Sequence, residues 1–209
     1  MKTAYTEENF LDEWITREGV EGNRGPRAPS KRPTERESPA SLEEALLRPR
    51  HAIVVVLDNI RSLYNVGAIF RVSDGAWIQK LYLGGITGRP PNPAIEKTAL
   101  GATRSVPWEH VADPVPLVGR LKADGYTVVA LERTDRSLLY DEFPPSAFPA
   151  CLLMGNEVAG LSHALLDLVD LAVEVPQFGY KKSLNVATAY AVAIYGLVQI
   201  SRRSRGLSG

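Results

Sequence analysis

Three short segments gather side chains able to do chemistry at close spacing. The first, DNIRSLYNVGAIFR, runs from Asp58 to Arg71 and brings Asn59, Arg61, Asn65 and Arg71 close together. An arginine fork donates two parallel hydrogen bonds to a phosphate or carboxylate, and an asparagine amide both donates and accepts. Taken alone, the segment also admits a plainer account: an Asn N-cap and an arginine paired with a surface acid. The second, LLMGNEVAGLS, covers Leu152 to Ser162. Gly155 and Gly160 let backbone approach a ligand closely or adopt positive φ. Glu157 follows an apolar run, where an acid needs a partner; it either serves a site or pins a loop or an arginine. The third, VEVPQFGYKKSLNVATAYAVAIYGL, covers Val173 to Leu197. It predicts a Gln177–Lys182 loop with two lysines, then a helix capped by Ser183 with Asn185 in its first turn. The lysines suit a phosphate-bearing ligand. Cys151, the sole cysteine, sits in the apolar run ACLLM and reads as a core thiol. It excludes an internal disulfide and a multi-cysteine zinc site. His51, His110 and His163 lie outside the three segments, and no metal-ligand cluster is expected.

Each segment must be held by the element before it. Ala52–Leu57 (AIVVVL) is a continuous β-branched run, as in a strand covered on both faces. Val66, Ile69, Phe70 and Ser73 give helical spacing over Asn65–Ala76. Further strands are expected at Lys80–Leu83, Thr127–Leu131, Cys151–Met154 and Leu171–Val175. Helices are expected at Pro114–Ala123, Ser162–Leu168 and Ser183–Ile200, and a loop at Gly84–Pro93. Val186, Ala189, Tyr190, Ala193 and Leu197 form the core face of the last helix. This alternation predicts an α/β fold, a mostly parallel sheet flanked by helices. In such sheets ligands collect beyond the carboxyl ends of the strands, where all three segments fall. A dinucleotide-dependent oxidoreductase would want G-x-G-x-x-G after the first strand, and the chain has DNIRSL there.

Composition bounds the rest. At 209 residues, 44% hydrophobic and 23% charged, the chain suits one globular domain with a tail. The expected division is an N-terminal extension over 1–50 and the catalytic domain over 51–209. Residues 1–20 suggest a short amphipathic helix. Residues 22–40, with Pro26, Pro29, Pro33 and Pro39, suggest an open arm. Ser41 and Glu44 form a capping-box pattern. Net charge is zero, yet Arg24, Arg27, Lys31, Arg32 and Arg36 cluster in the arm, and Lys181, Lys182, Arg202, Arg203 and Arg205 stand in an acid-free C-terminal stretch. Local basic patches suit nucleic acid, although solvated faces give the same pattern. The acidic start lacks an apolar signal core, and no run approaches the roughly 18–20 apolar residues of a membrane span. A cytoplasmic location is expected.

Together the three segments resemble, in order, the motifs of the SpoU (TrmH) family, RNA 2′-O-ribose methyltransferases of the SPOUT superfamily. The first segment is similar to N-x-G/A-A-I-x-R, with Asn65 and Arg71. The next is similar to G-N-E-x-x-G-L, with Gly155, Asn156, Glu157 and Gly160. The last is similar to I-P-x-x-G-x-x-x-S-L-N-V, with Pro176, Gly179, Ser183, Leu184 and Asn185. The resemblance spans about residues 52–200. Gln177 departs from a common methionine, and Tyr180-Lys181-Lys182 from a more mixed stretch; these departures bear on substrate identity. The resemblance implies a trefoil-knotted fold, a homodimer, an RNA substrate (tRNA or rRNA) and the cofactor S-adenosylmethionine, with no metal. It implies a cofactor site built from Leu131, Gly155, Asn156, Val175, Gln177, Gly179, Ser183 and Leu184. It implies a catalytic set of Asn65, Arg71, Glu157, Ser183 and Asn185, with proton removal assigned to Arg71. Because arginine stays protonated, a clamp on the neighbouring phosphate is the alternative role. The rival reading is a non-catalytic RNA-binding module that keeps the fold.

Overall fold

The computed structural model describes residue 39 and residues 41–206. The expected helix in 1–20, and the arm over 22–40 apart from Pro39, lie outside the described residues. Helix α1 (Leu42–Leu46) opens the compact unit that begins at Ser41, whose hydroxyl accepts from the Glu44 N–H at 3.2 Å.

The chain then alternates as expected. Strand β1 spans His51–Asp58, α2 Leu63–Gly75, β2 Ile78–Gly84, α3 Pro93–Ala99, β3 Trp108–Val111, α4 Pro114–Ala123, β4 Thr127–Leu131 and β5 Leu138–Leu139. Strand β6 spans Ala150–Met154, α5 His163–Leu166, β7 Leu171–Glu174 and α6 Val186–Ser204. The seven strands form one sheet in the order β3-β2-β1-β6-β4-β7-β5, and every pairing is parallel.

The pleat divides the core in two. Ile53, Val55 and Leu57 of β1, with Leu152 and Met154 of β6, face α2 and α6; Val54, Val56, Cys151 and Leu153 face α4 and α5. Side-chain alternation along a strand requires such an arrangement, and helices on both faces explain why β1 lacks a polar side. Helices α2 and α6 are joined inside the core by a 2.7 Å hydrogen bond between Ser73 and the fully buried Tyr190. Gly67 lets α3 lie against α2: a Cβ there would stand 2.3 Å from the Ile95 carbonyl oxygen. The slim start of α2 therefore serves a helix neighbour.

Two expectations need correcting. Asn185, not Ser183, caps the last helix: its Oδ1 accepts from the N–H groups of Ala187 and Thr188 at 3.0 and 3.3 Å. Ser183 and Leu184 thus stay in the preceding loop. Likewise Ser62 caps α2, accepting from the Asn65 N–H at 3.3 Å, which leaves the Asn65 amide for other partners. Helix α3 and strands β3 and β5 were not foreseen. No helix among the described residues is long and apolar enough to cross a membrane.

Candidate active site

The strands β1, β6, β4 and β7 are neighbours, so the loops at their carboxyl ends meet. Beyond β6 the chain turns back on itself: Asn156 and Gly160 exchange backbone hydrogen bonds at 3.0 and 2.9 Å. Gly160 has φ of +70°, and a Cβ on Gly155 would stand 2.2 Å from the Gly160 carbonyl carbon. Both positions therefore require glycine. The Asn156 side chain locks the turn further. Its Oδ1 accepts from Val158 and Ala159, both at 3.0 Å, and its Nδ2 donates to the Asn59 carbonyl at 2.8 Å.

Asn59 itself has φ of +58°, a conformation that asparagine tolerates. Its amide donates to Asp58 at 2.7 Å and accepts from the Ile86 N–H at 3.0 Å. Buried Asp58 also accepts from the Ser162 N–H at 2.9 Å, tying the far end of the turn to β1. Asp58 was quoted in the first segment without a role. Its signal is an acid closing an apolar strand, the pattern noted for Glu157.

Three residues, one from each segment, form a line across the loops. Asn185 Nδ2 donates to Asn65 Oδ1 at 3.0 Å, and Asn65 Nδ2 donates to Glu157 Oε1 at 3.0 Å. The direction is fixed from one end. Asn185 Oδ1 is committed to the start of α6, so its NH₂ must face Asn65, whose own NH₂ must then face Glu157. The backbone N–H of Arg61 approaches the other Glu157 oxygen at 3.4 Å. Partial burial pushes the Glu157 carboxyl upward. Hydrogen bonds from its own backbone, the Asn65 amide and the Arg61 and Ser62 N–H groups outweigh this and hold it below the ordinary carboxylate range.

A cavity of about 270 Å³ opens beside this line, at the ends of β4, β6 and β7. Of the expected cofactor residues, Leu131, Gly155, Asn156, Val175, Gln177, Ser183 and Leu184 line it, and so does Glu157. Gly179 does not; it stands in the exposed loop before α6. Glu132, Arg133, Glu174 and Lys182 also line the cavity and were not singled out as site residues. Glu132, directly after TVVAL, carries the same strand-end signal as Glu157. Between Gln177 and Leu184 no backbone N–H has a backbone acceptor among the described residues, leaving donors for a ligand.

Arg71 is placed differently. At 1.5 Å per residue it lies about 9 Å further along α2 than Asn65, turned about a third of a circle away. It is exposed, lines no part of this cavity and has no hydrogen bond or ion pair with a described residue.

Residues 52–195 match the model of the SpoU rRNA Methylase family. The chain belongs to that family. Over 151 residues it is 32% identical to a tRNA (guanosine(18)-2′-O)-methyltransferase of Saccharomyces cerevisiae, covering 70% of this chain but only 10% of that much longer protein. It is 32% identical over 169 residues to a 23S rRNA (guanosine(2553)-2′-O)-methyltransferase of Bacillus subtilis, covering 78% and 67% of the two. A crystal structure of an AdoMet-bound rRNA methyltransferase from Sinorhizobium meliloti superposes with a TM-score of 0.66 at 29% identity, over 75% of this chain and 57% of that one. The α/β architecture is thus that of the SPOUT methyltransferases.

Proposed function

We propose that this chain transfers the methyl group of S-adenosylmethionine to a ribose 2′-hydroxyl of tRNA or rRNA. The observation that carries this reading is the Glu157–Asn65–Asn185 line, which joins all three motif segments and meets the cavity at Glu157. The relatives' action on guanosine riboses in tRNA and 23S rRNA supports an RNA substrate.

The residues present fit the cofactor. Leu131, Val175 and Leu184 offer apolar walls for an adenine, and the free N–H groups of 177–184 offer donors for polar ends. Glu132, Glu157 and Glu174 outnumber Arg133 and Lys182 about the cavity, leaving a net negative lining that favours a cationic ligand. When bound, S-adenosylmethionine supplies a methyl carbon already activated by its sulfonium. The protein's task is to aim a 2′-oxygen at that carbon while the hydroxyl proton passes to solvent. Asn65, Ser183 and Asn185 orient the ribose. Arg71, an arginine that stays protonated, clamps the adjacent phosphate and stabilises negative charge growing on oxygen.

Because Arg71 lines no part of the cavity of its own chain, we infer that the active unit is a homodimer in which it completes the partner's site. The enzyme then works in the cytoplasm, where its RNA resides. Incubation with methyl-labelled S-adenosylmethionine and unmodified tRNA and rRNA, followed by nuclease digestion, should yield alkali-resistant labelled dinucleotides. Label on a base would overturn the reading, and RNA binding without cofactor binding would favour the non-catalytic module. Mixing inactive Arg71→Ala with an inactive Asn185→Ala variant should restore activity; no restoration would remove the shared site.

A further inference from the structure

The loop before α6 carries two large aromatic rings that stand almost wholly in solvent. Phe178 is 95% exposed and Tyr180 97% exposed, and a Cβ on Gly179 between them would meet no atom within 4 Å. Water makes such exposure unfavourable, and most surface of this kind marks contact with a partner. The same loop carries Lys181 and Lys182, both exposed and neither in an ion pair with a described residue. From Val175 to Asn185 there is no acid. The loop is continuous with the cavity, since Gln177, Lys182 and Ser183 all line it.

Paired rings followed by two cations match the chemistry of unpaired nucleotides. Every base has a face that stacks on an aromatic ring, and each flanking phosphate takes a lysine. We propose that Phe178 and Tyr180 form a stacking platform for unpaired bases of the RNA beside the methylated ribose, with Lys181 and Lys182 on the adjoining phosphates. This inference rests on the methyl-transfer reading, because it needs the neighbouring cavity to act on RNA. It explains how a chain of zero net charge holds a polyanion: affinity comes from rings and a local cationic loop. It also implies that a duplex, whose bases are already stacked, binds less well than a loop or single strand.

The test compares decauridylate with an abasic decamer carrying the same phosphates. The wild type should bind the base-bearing strand more tightly, by on the order of tenfold for each ring engaged. Phe178→Ala/Tyr180→Ala should erase that preference while S-adenosylmethionine still binds. Phe178→Tyr/Tyr180→Phe, which keeps both rings, should retain it. Lys181→Gln/Lys182→Gln should instead lower the log–log salt slope by about 0.7 per phosphate lost, with the base preference kept. A wild type that does not distinguish the two strands, or a double-alanine variant that still does, would overturn the platform. A double-alanine variant that dissociates to monomers would overturn it too, assigning the rings to the subunit interface. Each of these outcomes leaves ribose methylation by the wild type standing, whereas failure of the labelled-methyl experiment removes the underlying reading instead.

Discussion

The two loops that flank the cavity are built on opposite plans. Residues 155–160 are saturated: Asn156 alone makes three side-chain hydrogen bonds, and Asp58 anchors the turn's exit. Residues 177–184 form no backbone–backbone bond, and Gly179 stands in open space. A saturated loop has its geometry settled before any ligand arrives, which is what holding reacting groups requires. An unsatisfied one keeps donors and rings in reserve for what it meets. Positioning thus belongs to the first loop and reception to the second.

The sharpest way to break this contrast is Gly155→Ala. With the Gly160 carbonyl carbon 2.2 Å from the new methyl, the turn must open. Overpacking costs about 1–3 kcal/mol, and calorimetry should show S-adenosylmethionine affinity lost along with a lower melting temperature. Normal binding would mean that the turn is not the rigid partner. Next comes Asn185→Ala, which removes the α6 cap and the donor to Asn65, with a stability loss of about 1 kcal/mol. Asn185→Asp keeps the cap, and a negative charge suits a helix N-terminus, so it should recover stability. Its carboxylate cannot donate to Asn65 Oδ1, so turnover should stay low. Recovery of both would reduce Asn185 to a cap.

A smaller effect comes with acid. The lowered Glu157 carboxyl contributes stability that is fully present above its unfolded value, about 4.3, and is lost as pH falls through the folded one. The melting-temperature difference between wild type and Glu157→Gln should therefore be flat from neutral pH to that value and shrink below it. A difference that shrinks instead between pH 8 and 6 would point to another group. Least of all is expected from Gly179→Ala, within about 0.5 kcal/mol of wild type in stability. A large loss there would show that the open loop is as constrained as its neighbour.

Much of this was legible in the chain itself. Thr127–Leu131 and Pro114–Ala123 have the bounds expected of them, because β-branched residues and a Pro after a capping Asp punctuate them clearly. Helix α3 hid behind Gly84–Pro93, although Asn92 before Pro93 is itself a helix-start signal. Strand β3, WEHV, is a short edge strand with no alternation to read. Ser183 and Asn185 both carry cap chemistry, and only the bonds that Asn185 Oδ1 accepts from Ala187 and Thr188 decide between them. The motif positions of Asn65, Glu157 and Asn185 were readable, but the order of donors along them depends on contacts 92 and 120 residues apart. Arg71 was readable as chemistry, while its place outside the cavity lining was not.

The strand order has a consequence for how the molecule is made. Strand β6 lies between β1 and β4, so the middle of the sheet cannot close until residues 150–154 exist. A growing chain that has reached only β4 holds two apolar strands, each missing the neighbour on its inner side. Such unpaired edges invite wrong partners, and pairing across long sequence separations is slow to begin with. Synthesis through β6 therefore closes the facing edges of β1 and β4, while the other edge of β4 waits for β7 at residues 171–174.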